Sequence, residues 1–208
     1  MRTAAPGVTA YTPNGTPYLF DAGALCLEFL TSGGPGELRR YDVLHTPEDL
    51  ARWFSLSRLQ LDPEKVRVSD AELQEALDLR TALWGMGRHA ARGQALAHDQ
   101  VQCVNNAAEH LPLTLKIHGS AAAWRYPASG SEALSTIARD AVDLFTGELA
   151  DRIRECEAPE CFLIFVDTSR PGLRRWCAKD SCGNRHKMRK LRARNASGGD
   201  TDRRPPTR

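Results

Sequence analysis

The sequence predicts an α+β protein: a mostly helical N-terminal domain with small β-hairpins, followed by a compact C-terminal module built on four cysteines. Three observations carry this. Helical apolar spacing, headed by capping signals, recurs from residue 46 onward. Short alternating runs bounded by Gly and Pro interrupt it. The chain also changes character near Asp151: residues 1–151 hold 13 Lys and Arg against 19 Asp and Glu, net −6, whereas residues 152–208 hold 15 against 7, net +8. Such a split points to an anionic partner for the C-terminal part.

Residues 1–17, rich in Thr, Pro, Gly and Ala, are expected to be a flexible lead-in. The N-terminal domain is predicted over residues 18–151. Residues 18–31 alternate as a strand would, with Leu25, Leu27 and Phe29 on one face and Cys26, Glu28 and Leu30 on the other. Residues 32–36 form a turn, and residues 38–44 are the expected partner strand.

Thr46-Pro47-Glu48-Asp49 begins a helix with Leu50, Trp53, Phe54 and Ser57 on its stripe. Ser69-Asp70-Ala71-Glu72 is a capping box for a longer one, with Leu73, Ala76, Leu77, Leu83 and Trp84 facing inward. Arg80 falls beside that face. It either reaches a buried carboxylate such as Glu28 or snorkels at the core's edge. Residues 99–111 read as a third helix, with Val101, Val104, Ala108 and Leu111 inward. His98, Cys103 and His110 lie there at no recognisable metal spacing and read as scattered surface residues. Residues 113–118 and 122–126 form a hairpin about Gly119-Ser120. Residues 130–155 are predicted as the longest helix, running straight into the cysteine module.

Cys156 and Cys161, then Cys177 and Cys182, form two pairs, each with four intervening residues, separated by residues 162–176. Two such knuckles brought face to face make the tetrahedral sulfur cage that Zn²⁺ prefers in a closed structural site. An iron–thiolate centre or disulfides are the alternatives. Residues 162–167 read as a strand, Ser169-Arg170-Pro171-Gly172 as a turn, and Arg174-Arg175-Trp176 as the return of a hairpin. A helix follows Asn184, with Met188 and Leu191 expected to dock it on that hairpin. Knuckle, hairpin, second knuckle and helix is the treble-clef order.

These residues also carry a resemblance. Asp167-Thr168-Ser169-Arg170, Arg174-Arg175-Trp176-Cys177 and Cys182-Gly183-Asn184-Arg185 closely resemble the CGNR zinc-finger family, over residues 161–194. Leu27-Glu28-Phe29-Leu30-Thr31 resembles the ABATE domain that precedes such fingers, although Glu28 departs from that domain's Asp-Phe-Val-Asn-Thr-like strand, and this chain has no matching Asn. The resemblance implies a stress-induced transcription regulator that binds DNA, with a zinc finger over residues 152–195; residues 196–208, rich in Gly, Pro and charge, are expected to be a disordered tail.

Charge argues the same way. Residues 170–194 hold ten Lys or Arg against one acid, Asp180. Two cations would offset the −2 of a zinc tetrathiolate, so the surplus favours phosphate binding. The candidate nucleic-acid residues are Arg174, Arg175, Arg185, Lys187, Arg189, Lys190, Arg192 and Arg194. Lys187, Lys190 and Arg194 share one helix face. Arg185 has two readings, nucleic-acid contact or a brace near the cage; Asn184 is a helix-start residue.

The chain lacks a stretch of about twenty apolar residues and an N-terminal signal layout, so a cytoplasmic protein is expected. It has no nucleophile–base pairing, phosphate-cradling Gly loop or paired carboxylates at useful spacing, and is not expected to be an enzyme. The N-terminal domain would then sense a small-molecule effector or mediate assembly. A protein–protein adaptor or RNA-associated factor is the alternative function.

Overall fold

The computed structural model describes residues 7–11, 15–159 and 161–198, the last three by their backbone alone. β1 (Val8–Tyr11), inside the predicted lead-in, pairs antiparallel with β2 (Pro17–Phe20), the start of the strand predicted over residues 18–31, in the register Val8↔Phe20. Its β-branched and aromatic residues favour a strand, and Val8, Ala10 and Tyr18 pack against the core. Residues 1–6, 12–14 and 199–208 lie outside the described set. Helix α6, described below, runs to Gly198, into the first residues of the expected tail.

Beyond Phe20 the strand predicted over residues 18–31 gives way to a helix. α1 (Leu25–Phe29) is followed by a 3₁₀ turn at Leu30–Ser32, and all five α1 residues are buried. An apolar run buried on every side carries no period, so alternation misleads there. The Cys26 N–H donates to Asp140 Oδ2 at 2.8 Å, so a distant carboxylate satisfies an N-terminal donor of this short helix. Residues 36–41, which overlap the partner strand expected over residues 38–44, form a second 3₁₀ turn.

Where local chemistry sets a helix start, expectation and structure coincide. α2 (Pro47–Leu56) is capped reciprocally by Thr46 and Asp49, and α3 (Asp70–Ala91) by Ser69 and Glu72. α4 (His98–Glu109) follows, with Val104 buried but Leu111, expected inward, 77% exposed beyond its end. β4 (Leu115–His118) and β5 (Ala121–Trp124) form the expected hairpin, with Gly119 supplying the positive φ of its turn. α5 (Gly130–Thr146) starts at a third capping box, Ser129 with Glu132. It ends at Gly147 instead of reaching the cysteines, and α3 is the longer helix.

α3 packs on α4 and α5, and α5 also on α1. Two ion pairs sit in this layer. Arg80 does reach a carboxylate, but it is Asp42: its two terminal nitrogens donate to both Asp42 oxygens at 2.9 Å, and one also donates to the Ser32 carbonyl. The fully buried Glu28 instead accepts from Arg58 Nε at 2.7 Å and from the Arg58 backbone N–H at 2.8 Å.

The chain then passes from helices to zinc module through a strand. β7 (Ile153–Glu155) pairs antiparallel with β8 (Ile164–Val166). Residues 174–176 were expected to partner β8; the partner is β7, before the first knuckle. β7 and β8 pack against α3, and Ile153, Ile164, Phe165 and Val166 are buried in the same apolar core as Leu27, Leu83 and Ile137. The charge boundary at Asp151 is therefore crossed by a continuous core. Among the described residues no helix is long and apolar enough to cross a membrane.

Candidate metal centre and nucleic-acid interface

The tip of the β7–β8 hairpin is the first knuckle. The Cys156 N–H donates to the Leu163 carbonyl at 2.9 Å, closing the ladder beneath it, and the Cys161 N–H donates to Ala158 O at 3.0 Å. The second knuckle is brought over the first by the Glu157 N–H, which donates to Arg175 O at 3.0 Å, and by the Cys177 N–H, which reaches Cys156 Sγ at 3.3 Å. A π-helical turn at Lys179–Gly183 buries Cys182 and leads into α6 (Asn184–Gly198). Asp167 pins the segment between: its two oxygens accept from the backbone N–H groups of Ser169 and Arg174 at 2.9 and 2.8 Å.

The sulfurs of Cys156, Cys161, Cys177 and Cys182 all lie within 4.8 Å of one another. Cys161 and Cys177 are 3.7 Å apart, Cys177 and Cys182 3.4 Å. A tetrahedral ion with Zn–S bonds of about 2.3 Å spaces its sulfurs by about 3.8 Å, so the donor set and its dimensions fit Zn²⁺. The chain binds zinc, and these four sulfurs form a cluster suited to hold it. Hydrogen bonding among the sulfurs spreads their ionisation. Cys156 is lowered to about 7, chiefly by Cys161, and Cys182 is lowered, chiefly by Cys156. Cys161 and Cys177 are raised, each chiefly by Cys156. A divalent cation removes that conflict by letting all four carry charge.

Three groups surround the cage. Arg185 Nη2 donates to Cys182 Sγ at 2.9 Å, so of its two readings the brace is the contact present. Arg174 lies over the Phe165 ring at 4.2 Å and donates to the carbonyls of Trp176 and Cys177. Tyr18, from β2, packs against the buried cluster that includes Cys156, Cys177 and Cys182, and its phenol is pushed up by burial and then by the charges of Cys177, Cys161 and Cys182. No spacing in the sequence signals Tyr18. The Asp167-Thr168-Ser169 turn and the basic Arg174 were visible, but their service to the cage was not.

The remaining cations separate cleanly. Arg175 donates to Glu157 Oε2 at 2.6 Å and lies over Trp176, tying the two knuckles together at the surface. Lys187, Arg189, Lys190, Arg192 and Arg194 are all exposed on α6, and among the described residues none pairs with an acid. The helix docks by a different face from the one expected. His186 stacks 4.7 Å from Trp176, whereas Met188 and Leu191 are 49% and 48% exposed.

In the N-terminal part, α3, α4 and the start of α5 enclose a groove of about 530 Å³. His98, Cys103 and His110, which the sequence scatters, line it together with Asp78 and Asp99.

Residues 23–148, well over half of the chain, match the ABATE family, described as "Putative stress-induced transcription regulator". Residues 152–195 match the CGNR zinc finger. Both are regulatory or zinc-finger families, not catalytic ones. A comparison with curated proteins found no match.

Proposed function

The chain belongs to the ABATE family and carries a CGNR zinc finger, and we propose that this zinc-binding regulatory protein is a DNA-binding transcription regulator whose α6 lies along duplex DNA. On this reading residues 152–195 hold the nucleic acid, and residues 18–151 sense an effector or mediate assembly. The groove between α3 and α4 is where a small molecule would act.

The observation that carries the reading is the division of labour among the cations. The cage's charge is met at close range by Arg185 on Cys182 and by backbone donors such as the Cys177 N–H. That leaves five exposed cations on α6 with no structural task among the described contacts. A surplus of that kind, on a helix anchored at one end by a metal, suits the phosphate backbone.

Competition binding tests it. The zinc-loaded full chain is titrated with a labelled duplex DNA, then challenged with unlabelled duplex DNA, double-stranded RNA and single-stranded RNA. Duplex DNA is expected to compete best. Stronger competition by either RNA would favour an RNA-associated factor, and no binding to any of them would favour a protein–protein adaptor.

A further inference from the structure

Helix α6 carries a stripe that phosphate contacts do not use. At 3.6 residues per turn, Met188, Leu191 and Asn195 stand three and four apart and share one line along the helix. That line is turned about half a revolution from His186, the residue that docks the helix on Trp176. It therefore points away from the zinc module. Met188 and Leu191 are half exposed and Asn195 is exposed. On one flank run Lys187, Lys190 and Arg194. On the other run Arg189 and Arg192, in line with Arg185.

A helix that only attracted phosphate would need no apolar crest between two basic flanks. The arrangement has the dimensions of a helix seated in the DNA major groove. That groove is about 12 Å wide, against about 10–12 Å for a helix with its side chains. In such a seat the flanks face the two sugar–phosphate walls and the crest faces the base edges. Large apolar side chains suit the thymine methyl group, and an Asn amide can bond N6 and N7 of adenine together. The deep, narrow major groove of double-stranded RNA admits no such helix.

We infer that Met188, Leu191 and Asn195 read base edges in the major groove of an A·T-containing site. The inference rests on the DNA reading above and adds to it the residues that set sequence preference. From Met188 to Asn195 the helix rises about 10 Å, so the stripe spans about three base-pair steps.

The test uses the zinc-loaded full chain and a pool of randomised duplexes. Two variants accompany it, Asn195→Ala and the double variant Met188→Ala with Leu191→Ala. None of these side chains touches the cage, and Ala preserves the helix. The unaltered chain should enrich a short A·T-containing motif. Asn195→Ala should relax the preference for one adenine by about tenfold, and the double variant should relax it at thymine positions. The salt dependence of duplex binding should stay unchanged in both, because neither variant removes a phosphate-facing cation. Salt-dependent binding with no enriched motif, or a motif that both variants keep, overturns the inference and leaves phosphate binding standing. No binding to any duplex overturns the DNA reading itself, and the inference with it.

Discussion

Ile164→Ala should destabilise the whole chain, although Ile164 lies between two zinc ligands in the sequence. Its side chain is 1% exposed. It enters a notch in α3 where Gly87 has no side chain: a Cβ there would meet Ile164 Cδ1 at 2.9 Å and Leu27 Cδ2 at 3.8 Å. The substitution removes three carbons from this contact, at about 0.8 kcal/mol each, about 2.4 kcal/mol in all. The space left adds a cavity cost, for a total of about 3–4 kcal/mol. Urea unfolding followed by tryptophan fluorescence and by far-ultraviolet circular dichroism reads the effect. Trp53 and Trp84 report on the helices, and Trp176 on the finger. Both signals should shift together to lower urea. Leu191→Ala, half exposed on α6, should change stability by less than about 0.5 kcal/mol. A loss below about 1 kcal/mol for Ile164→Ala, or a finger transition that moves while the helical one stays, would refute a shared core.

Other outcomes follow from the buried pairs and the cage. Burial raises the Asp42 carboxyl, but the hydrogen bonds and charge of Arg80 outweigh it and hold the group below its ordinary 3.8. Its contribution is therefore complete above pH 3.8 and is lost as pH falls through the lower, folded value. Asp42→Asn should flatten that part of an acid-unfolding profile, and Arg80→Met should cost about 1–3 kcal/mol by removing the charged partner of the half-buried Asp42. The purified chain should carry about one zinc and be colourless by metal analysis and absorbance. Arg185→Ala should weaken zinc retention against a competing chelator by about 10- to 100-fold, because Cys182 loses the donor that holds its sulfur.

What the sequence made legible was chemistry that acts over a few residues. Thr46 with Asp49 and Ser69 with Glu72 cap helices whatever else the chain does. The four cysteines were likewise legible, because the ion that gathers them dictates ligand type and number. What escaped was set by distant partners. Leu25–Phe29 becomes a helix because it is buried throughout and Asp140, 114 residues away, receives one of its N–H groups. Leu149 and Ile153 continue the spacing of α5, yet Gly147 ends that helix and Ile153 joins a strand. Met188 and Leu191 look like docking residues by type. The stacking of His186 on Trp176 turns them outward instead.

If the exposed cations of α6 hold phosphate, the salt dependence of duplex binding measures how many of them do so. Lys187, Lys190 and Arg194 are changed to Ala together. Each phosphate contact contributes about 0.9 to the slope of log affinity against log salt, so the slope should fall by about 2 to 3. Affinity should drop alike for every duplex, with zinc content unchanged, since these side chains make none of the cage contacts described. A triple variant that keeps both its affinity and its salt slope would show that these cations do not hold phosphate.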